Sequence, residues 1–96
     1  MSVQIVDVRM SQGRGHDAIS HYQWTDSRNG VTDWADRAQM VAWVRRNPNK
    51  AWVAGAAASA WITVVDNPGG QPYLRSYADN VLTDNLLSLP GARAAG

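Results

Sequence analysis

Cysteine and phenylalanine are both absent from these 96 residues, and histidine occurs only twice. Without cysteine there can be no disulfide, thiolate nucleophile, iron–sulfur cluster or zinc site with a sulfur ligand. A secreted domain of this size commonly depends on disulfides, so their absence leads us to expect a reducing, cytoplasmic compartment. An excess of one charge is missing too: nine Lys and Arg stand against eight Asp and Glu, for a net charge of +1. Nucleic-acid binding draws largely on phosphate neutralisation, so a balanced chain lowers that expectation without removing it. No apolar run approaches the length of a membrane span. The start, Met1-Ser2-Val3-Gln4-Ile5, shows no basic and then apolar leader pattern. Neither a membrane partner nor a targeting segment is expected.

Tryptophan is plentiful, with five Trp beside three Tyr. A chain this short builds one thin core, in which a few large side chains must supply much of the burial. One domain is expected over residues 1–90, followed by a flexible tail at 91–96.

Val3 to Met10 is rich in β-branched residues and reads as a strand, and Gly13 and Gly15 mark a turn after it. His16 to Thr25 reads as the second strand of a hairpin, broken by Asp26-Ser27-Arg28-Asn29-Gly30. Thr32 or Asp33 then suits the cap of a helix reaching Arg46, with Asp33 and Asp36 at its positive end and Arg45 and Arg46 at the other. Pro48 stops it. Further strands follow at Ala51–Ala54, Ala60–Val65 and Tyr73–Ser76, with Gly55–Ser59 as a small-residue turn and Asp79-Asn80 as another. The expected fold is α+β: a small, mostly antiparallel sheet of about five strands with one helix packed on it, in the order β-β-α-β-β-β. Strands with apolar residues of both parities, such as Ile5 against Val6 and Val8, ask for cover on both sheet faces. The helix covers one. The Leu86-Leu87-Leu89 segment or a second chain must cover the other.

On that helix, Trp34, Ala38, Val41 and Val44 share a face, with Met40 beside them. Trp43 falls roughly opposite Trp34 at about 100° per residue. It sits among Asp36, Gln39 and Arg46, which is polar company for an indole, so it becomes a candidate for binding a partner.

Catalytic chemistry is not visible. His16 and His21 on one strand point to opposite faces and cannot share a metal. Asp66, Asp79 and Asp84 lack the spacing of a calcium loop and suit turns. Gly69-Gly70 matches neither nucleotide-binding pattern. The serines stand in no recognised arrangement with a base. We therefore expect no catalytic residues, no cofactor and no metal site. Arg28, Arg37, Arg45, Arg46 and Lys50, interleaved with Trp34 and Trp43, form either a solvated face or a surface for phosphates and bases.

The most distinctive stretch is Tyr73-Leu74-Arg75-Ser76-Tyr77-Ala78-Asp79-Asn80, then Thr83-Asp84-Asn85-Leu86-Leu87-Ser88-Leu89-Pro90. It resembles the end of the bacterial and phage family named domain of unknown function 3892. Members of that family close with Tyr-Leu-Arg-Ser or Thr, an Asp or Asn turn, and Asp-Asn-Leu-x-x-Leu-Pro. Val8-Arg9-Met10, His16-x-x-Ile19 and Met40-Val41-x-Trp43-Val44 extend the likeness along the chain. The resemblance implies a stand-alone small domain of bacterial, phage or mobile-element origin and carries no activity with it.

Read physically, the stretch is a clasp. Arg75 can pair with Asp79 or Asp84, Asn85 can bond the backbone near the turn, and the leucines seal the sheet. Tyr73, Arg75, Asp84 and Asn85 either pin the tail or form a recognition cluster. The reading that results is a non-catalytic interaction module whose partner is a protein, either a second copy in a homodimer or a host protein. The alternative is a nucleic-acid-binding accessory protein using the arginine-rich helix.

Overall fold

The structure, a computed structural model, describes residues 2–13, 15–55, 59–78 and 81–95. Residues 56–58 of the proposed Gly55–Ser59 turn, and the proposed turn Asp79-Asn80, lie outside them. Strand β1 (Val3–Met10) is followed by a 3₁₀ turn (His16–Ala18), β2 (Ile19–Asp26), β3 (Thr32–Asp36) and helix α1 (Arg37–Arg46). Then come β4 (Ala51–Val53), β5 (Ala60–Val65), β6 (Tyr73–Ala78), β7 (Val81–Thr83), a second 3₁₀ turn (Asn85–Ser88) and α2 (Pro90–Ala95). The strands form one sheet in the order β3-β2-β1-β4-β5-β6-β7. β1 and β4 run parallel, and the other neighbouring pairs are antiparallel. A parallel pair needs a long crossover, and the β2–β3–α1 stretch supplies it. The α+β class holds, with seven strands where about five were expected.

One of the added strands replaces the start of the expected helix. Thr32–Asp36 pairs with His21–Thr25, so Trp34 lies on an edge strand opposite Gln23 and not on a helix. The turn between β2 and β3 drives this. Gly30 adopts φ +73°, which favours glycine, and the Asp26 and Val31 backbones close the loop by an N–H···O bond of 2.9 Å. Asp33 gives its carboxylate to the Trp34 N–H at 2.7 Å, so it caps no helix. Asp36 is the cap: its carboxylate accepts from the Gln39 N–H at 2.7 Å while the Gln39 side chain accepts from the Asp36 N–H at 3.0 Å. This reciprocal capping box fixes the start of α1.

The buried face of α1 is Met40, Val41 and Val44. Trp43 flanks it, half-buried against the core, while Ala38 is exposed. The expected opposition of Trp34 and Trp43 across one helix therefore does not exist.

Every buried strand residue lies on one face of the sheet. β1 makes this possible with a bulge: Ile5 pairs with Trp24 and Asp7 with Gln23, leaving Val6 as the extra residue. The bulge turns Val8 to the same side as Ile5, and both are wholly buried. Val3, Tyr22, Val53, Ile62 and Leu74 join them, and α1 and Leu86 close that side. The expectation that the leucine segment covers the second face is corrected here, because the helix and that segment serve one core.

The sheet curls strongly. The 3₁₀ turn before β2 packs on β6, although three strands separate β2 from β6 in the sheet order. β4 accompanies β1 only through Val3–Ile5, so the rest of that edge is left unpaired by β4. The C-terminal segment fills the gap. Leu86 is fully buried, Leu87, Leu89 and Ala92 pack on the core, and the Gly91 N–H donates to Asp7 Oδ1 at 2.7 Å. Helix α2 spans Pro90–Ala95 and so takes in most of the segment 91–96 read as a tail, with Pro90 suited to the first helical position. Among the described residues no helix is long and apolar enough to cross a membrane.

Candidate functional site

Three places in this fold hold the chemistry-bearing side chains. The first is the clasp. Arg75 on β6 donates from Nη2 to Asp84 Oδ1 at 3.2 Å and from Nε to the Thr83 carbonyl at 3.5 Å. Beside it Ser76 Oγ, fully buried, lies 2.6 Å from Thr83 Oγ1 and 3.1 Å from the Thr83 carbonyl oxygen. β7 is thereby tied to β6 through side chains as well as the ladder. Among the described residues, Asp84 is the acid that Arg75 pairs with. With Arg75 at 29% side-chain exposure and Asp84 at 71%, the ion pair is worth about 1 kcal/mol or less. The larger part of the clasp is the leucine burial that follows. Tyr73 lies two residues before Arg75, half-buried on the open face, and Asn85 begins the second 3₁₀ turn. Tyr73, Arg75, Asp84 and Asn85 therefore share one end of the sheet without converging on a cavity.

The clasp holds a residue that sequence reasoning placed elsewhere. His16 belongs to the 3₁₀ turn, not to a strand, and its Nε2 lies 3.7 Å from Asp84 Oδ1. That nitrogen is buried and makes no hydrogen bond. Burial pushes the His16 pKa below its ordinary 6.5, the Arg75 guanidinium pushes the same way, and Asp84 and Asp17 oppose them more weakly. The unfolded chain thus binds a proton at His16 more readily than the native one. Stability is full above the unfolded value near 6.5 and falls as the pH drops towards the native value. We expect the thermal midpoint to fall between about pH 7.5 and about pH 5.5, and His16→Gln to flatten that slope. An identical slope in His16→Gln would assign the pH dependence to other groups.

Tyr22 is a further buried polar group, and burial raises its hydroxyl pKa to about 12. Its hydroxyl lies by the Leu74 backbone, which lowers the value a little, but makes no hydrogen bond of good geometry.

The second place is a groove of about 510 Å³ between β2, β3 and α1, lined by Val3, Trp24, Trp34, Ala35, Gln39, Met40, Ala42, Trp43 and Arg46. Trp43, singled out from the sequence, forms part of this concave surface. The ring of Trp34 lies against Arg9, which shares its sheet face in register and whose guanidinium carbon stands 4.6 Å from its centroid.

The third place is the open face of the sheet, which sequence reasoning missed. Gln4 pairs with Trp52, Trp52 with Trp61, Trp61 with Tyr77, and Tyr77 with Leu82. Residues paired across a sheet share a face. Trp52, Trp61, Tyr77 and Leu82 thus form one row over four strands, with Trp61 44% and Leu82 47% exposed. Tyr77 donates its hydroxyl to Asn49 Oδ1 at 2.8 Å. The alternation Trp61-Ile62-Thr63 hinted at an outward Trp61. The row itself depends on strand order.

The remaining candidates do not assemble. Asp66 pairs with Arg45 at 2.8 Å while Asp84 serves the clasp, and Asp79 is outside the described residues. No three His, Cys, Asp or Glu side chains gather among the described residues. One serine does meet a base: Ser20 Oγ lies 2.9 Å from His21 Nδ1. Both are solvent-accessible, Ser20 Oγ also lies 3.2 Å from the Arg9 carbonyl oxygen, and no acid orients the imidazole among the described residues. Of the basic residues near α1, Arg37 donates to the Asp17 carbonyl, Arg45 pairs with Asp66, and Arg28 lies 3.8 Å from Asp26.

These features define a small α+β domain with one packed sheet face, one open aromatic face and a C-terminal clasp. Its sequence matches, over residues 4–90, the family described as Protein of unknown function (DUF3892). The chain belongs to that family, as the clasp residues had implied. No curated protein and no solved structure matches it.

Proposed function

We propose that this chain is a non-catalytic interaction module that pairs with a second copy of itself through the open face of its sheet. The observation that carries this reading is the Trp52-Trp61-Tyr77-Leu82 row. An indole 44% exposed at the middle of a sheet costs solvation unless something covers it. Aromatic residues in a patch with charge only at the edge are the usual centre of a protein interface. The row itself carries no charge, so two copies meet without opposing like charges. Arg75, the nearest cation in register, is already engaged by Thr83 and Asp84. The row ends at β7, whose Val81 and Leu82 are 64% and 47% exposed along an edge strand. A stable pair needs about 800 Å² from each copy, more than these four strands of three to six residues offer alone, so the contact extends onto the open-face residues of the neighbouring β1 and β2.

Nucleic-acid binding through α1 draws less support from the geometry, since Trp34 is not on the helix and two of its arginines are engaged by Asp66 and the Asp17 backbone.

Sedimentation equilibrium tests the proposal. The native chain is expected to show twice its 10.5 kDa mass at micromolar concentration. Trp61→Ala should sediment as the 10.5 kDa monomer with an unchanged circular dichroism spectrum. A native chain that stays monomeric, or a variant that dimerises as well as the native chain, would remove self-association.

A further inference from the structure

We infer that the groove between α1 and the β2–β3 hairpin is a binding site for a small aromatic carboxylate. Trp24, Trp43, Met40, Val3, Ala35 and Ala42 make the walls apolar. At about 510 Å³ the groove is of the size that takes a small molecule, and apolar walls with a few polar groups are the usual makeup of such sites. Two flat indoles on adjoining elements favour a planar ring, which gains offset or edge contacts beyond simple burial.

The polar groups decide the charge of the ligand. Apart from the indole N–H groups, Gln39 and Arg46 are the polar side chains in the lining among the described residues. Arg46 makes no ion pair or hydrogen bond among the described residues, whereas the adjacent Arg45 is paired with Asp66 at 2.8 Å. Gln39 has its oxygen occupied by the Asp36 N–H, which leaves its NH₂ to donate. Among the described residues no carboxylate lines the groove. Asp33, opposite Trp24 in register, is turned onto the Trp34 N–H at 2.7 Å. The groove thus offers donors without a matching acid, and a guanidinium binds a carboxylate by charge-assisted hydrogen bonds. A cationic aromatic would meet Arg46 as a like charge.

The experiment uses the full chain labelled with ¹⁵N and follows the indole N–H signals during titration. The probes are naphthalene-2-carboxylate, naphthalene-2-methanol and 2-naphthylmethylammonium. The carboxylate is expected to shift Trp24 and Trp43 saturably and to leave Trp52 and Trp61 in place. The alcohol should bind about tenfold more weakly and the ammonium more weakly still. Arg46→Gln should bring the carboxylate down to the level of the alcohol while thermal unfolding stays unchanged. Equal affinity for the three probes, shifts centred on Trp52 and Trp61, no saturable shift, or an Arg46→Gln variant that binds normally would each overturn the assignment.

Discussion

Replacing Gly91 with alanine is expected to lower the stability of this domain by roughly 3 kcal/mol. A β-carbon at Gly91 would stand 1.7 Å from the Val8 carbonyl oxygen and 2.8 Å from Asp7 Oδ1. The first is main-chain oxygen within β1, which cannot turn aside as a flexible side chain can. The variant must therefore lift α2 away from β1 and lose the 2.7 Å bond from the Gly91 N–H to Asp7. For a domain of this length each kcal/mol moves the thermal midpoint by roughly 4–8 °C, so the loss is readily measured. Thermal unfolding followed by circular dichroism is the check. An unchanged midpoint would show that the end of the chain is not seated on β1.

Leu86→Ala should cost as much or more, roughly 2–5 kcal/mol, through a cavity in the core. Leu86 is wholly buried with Leu74 and Val8 in the same cluster and is held there by the 3₁₀ turn Asn85–Ser88. Because Leu86 and Gly91 seat one segment, the double variant should lose less than the sum of the two single losses. Neighbours that share partners depart from additivity in this way. Denaturant unfolding of the four proteins gives the comparison. Full additivity would mean that the two residues act in separate units, and the clasp would then be no single structural element.

The clasp was the part of the molecule most readable from the chain. Arg75 and Asp84 lie nine positions apart across a single hairpin, so their meeting needs only local folding. The same holds for β1, β5 and the start of β6, where runs of β-branched and aromatic residues are bounded by glycine, proline or asparagine. β3 was harder. Thr32, Asp33 and Asp36 are all capable helix caps, and choosing among them needed the D-x-x-Q spacing of Asp36 and Gln39 together with the pull of hairpin pairing after Gly30. His16 was misplaced for a related reason. Its segment continues the pattern of β2, while its burial depends on β6 and Asp84 arriving from the far end of the chain.

Taken alone, the sequence determined the features that depend on neighbours along the chain. These are the α+β class, the strand-forming runs, the excluded cysteine chemistry and a nearby aspartate, Asp79 or Asp84, as the partner of Arg75. Tertiary structure decided which sheet face is core, because the bulge at Val6 brings Ile5 and Val8 to one side and a shift of one residue reverses every side chain beyond it. It also brought Trp24 to Trp43 and aligned Trp52, Trp61, Tyr77 and Leu82. Strand order and register are set by contacts between distant segments competing for one buried face, and no local pattern of residues encodes that competition.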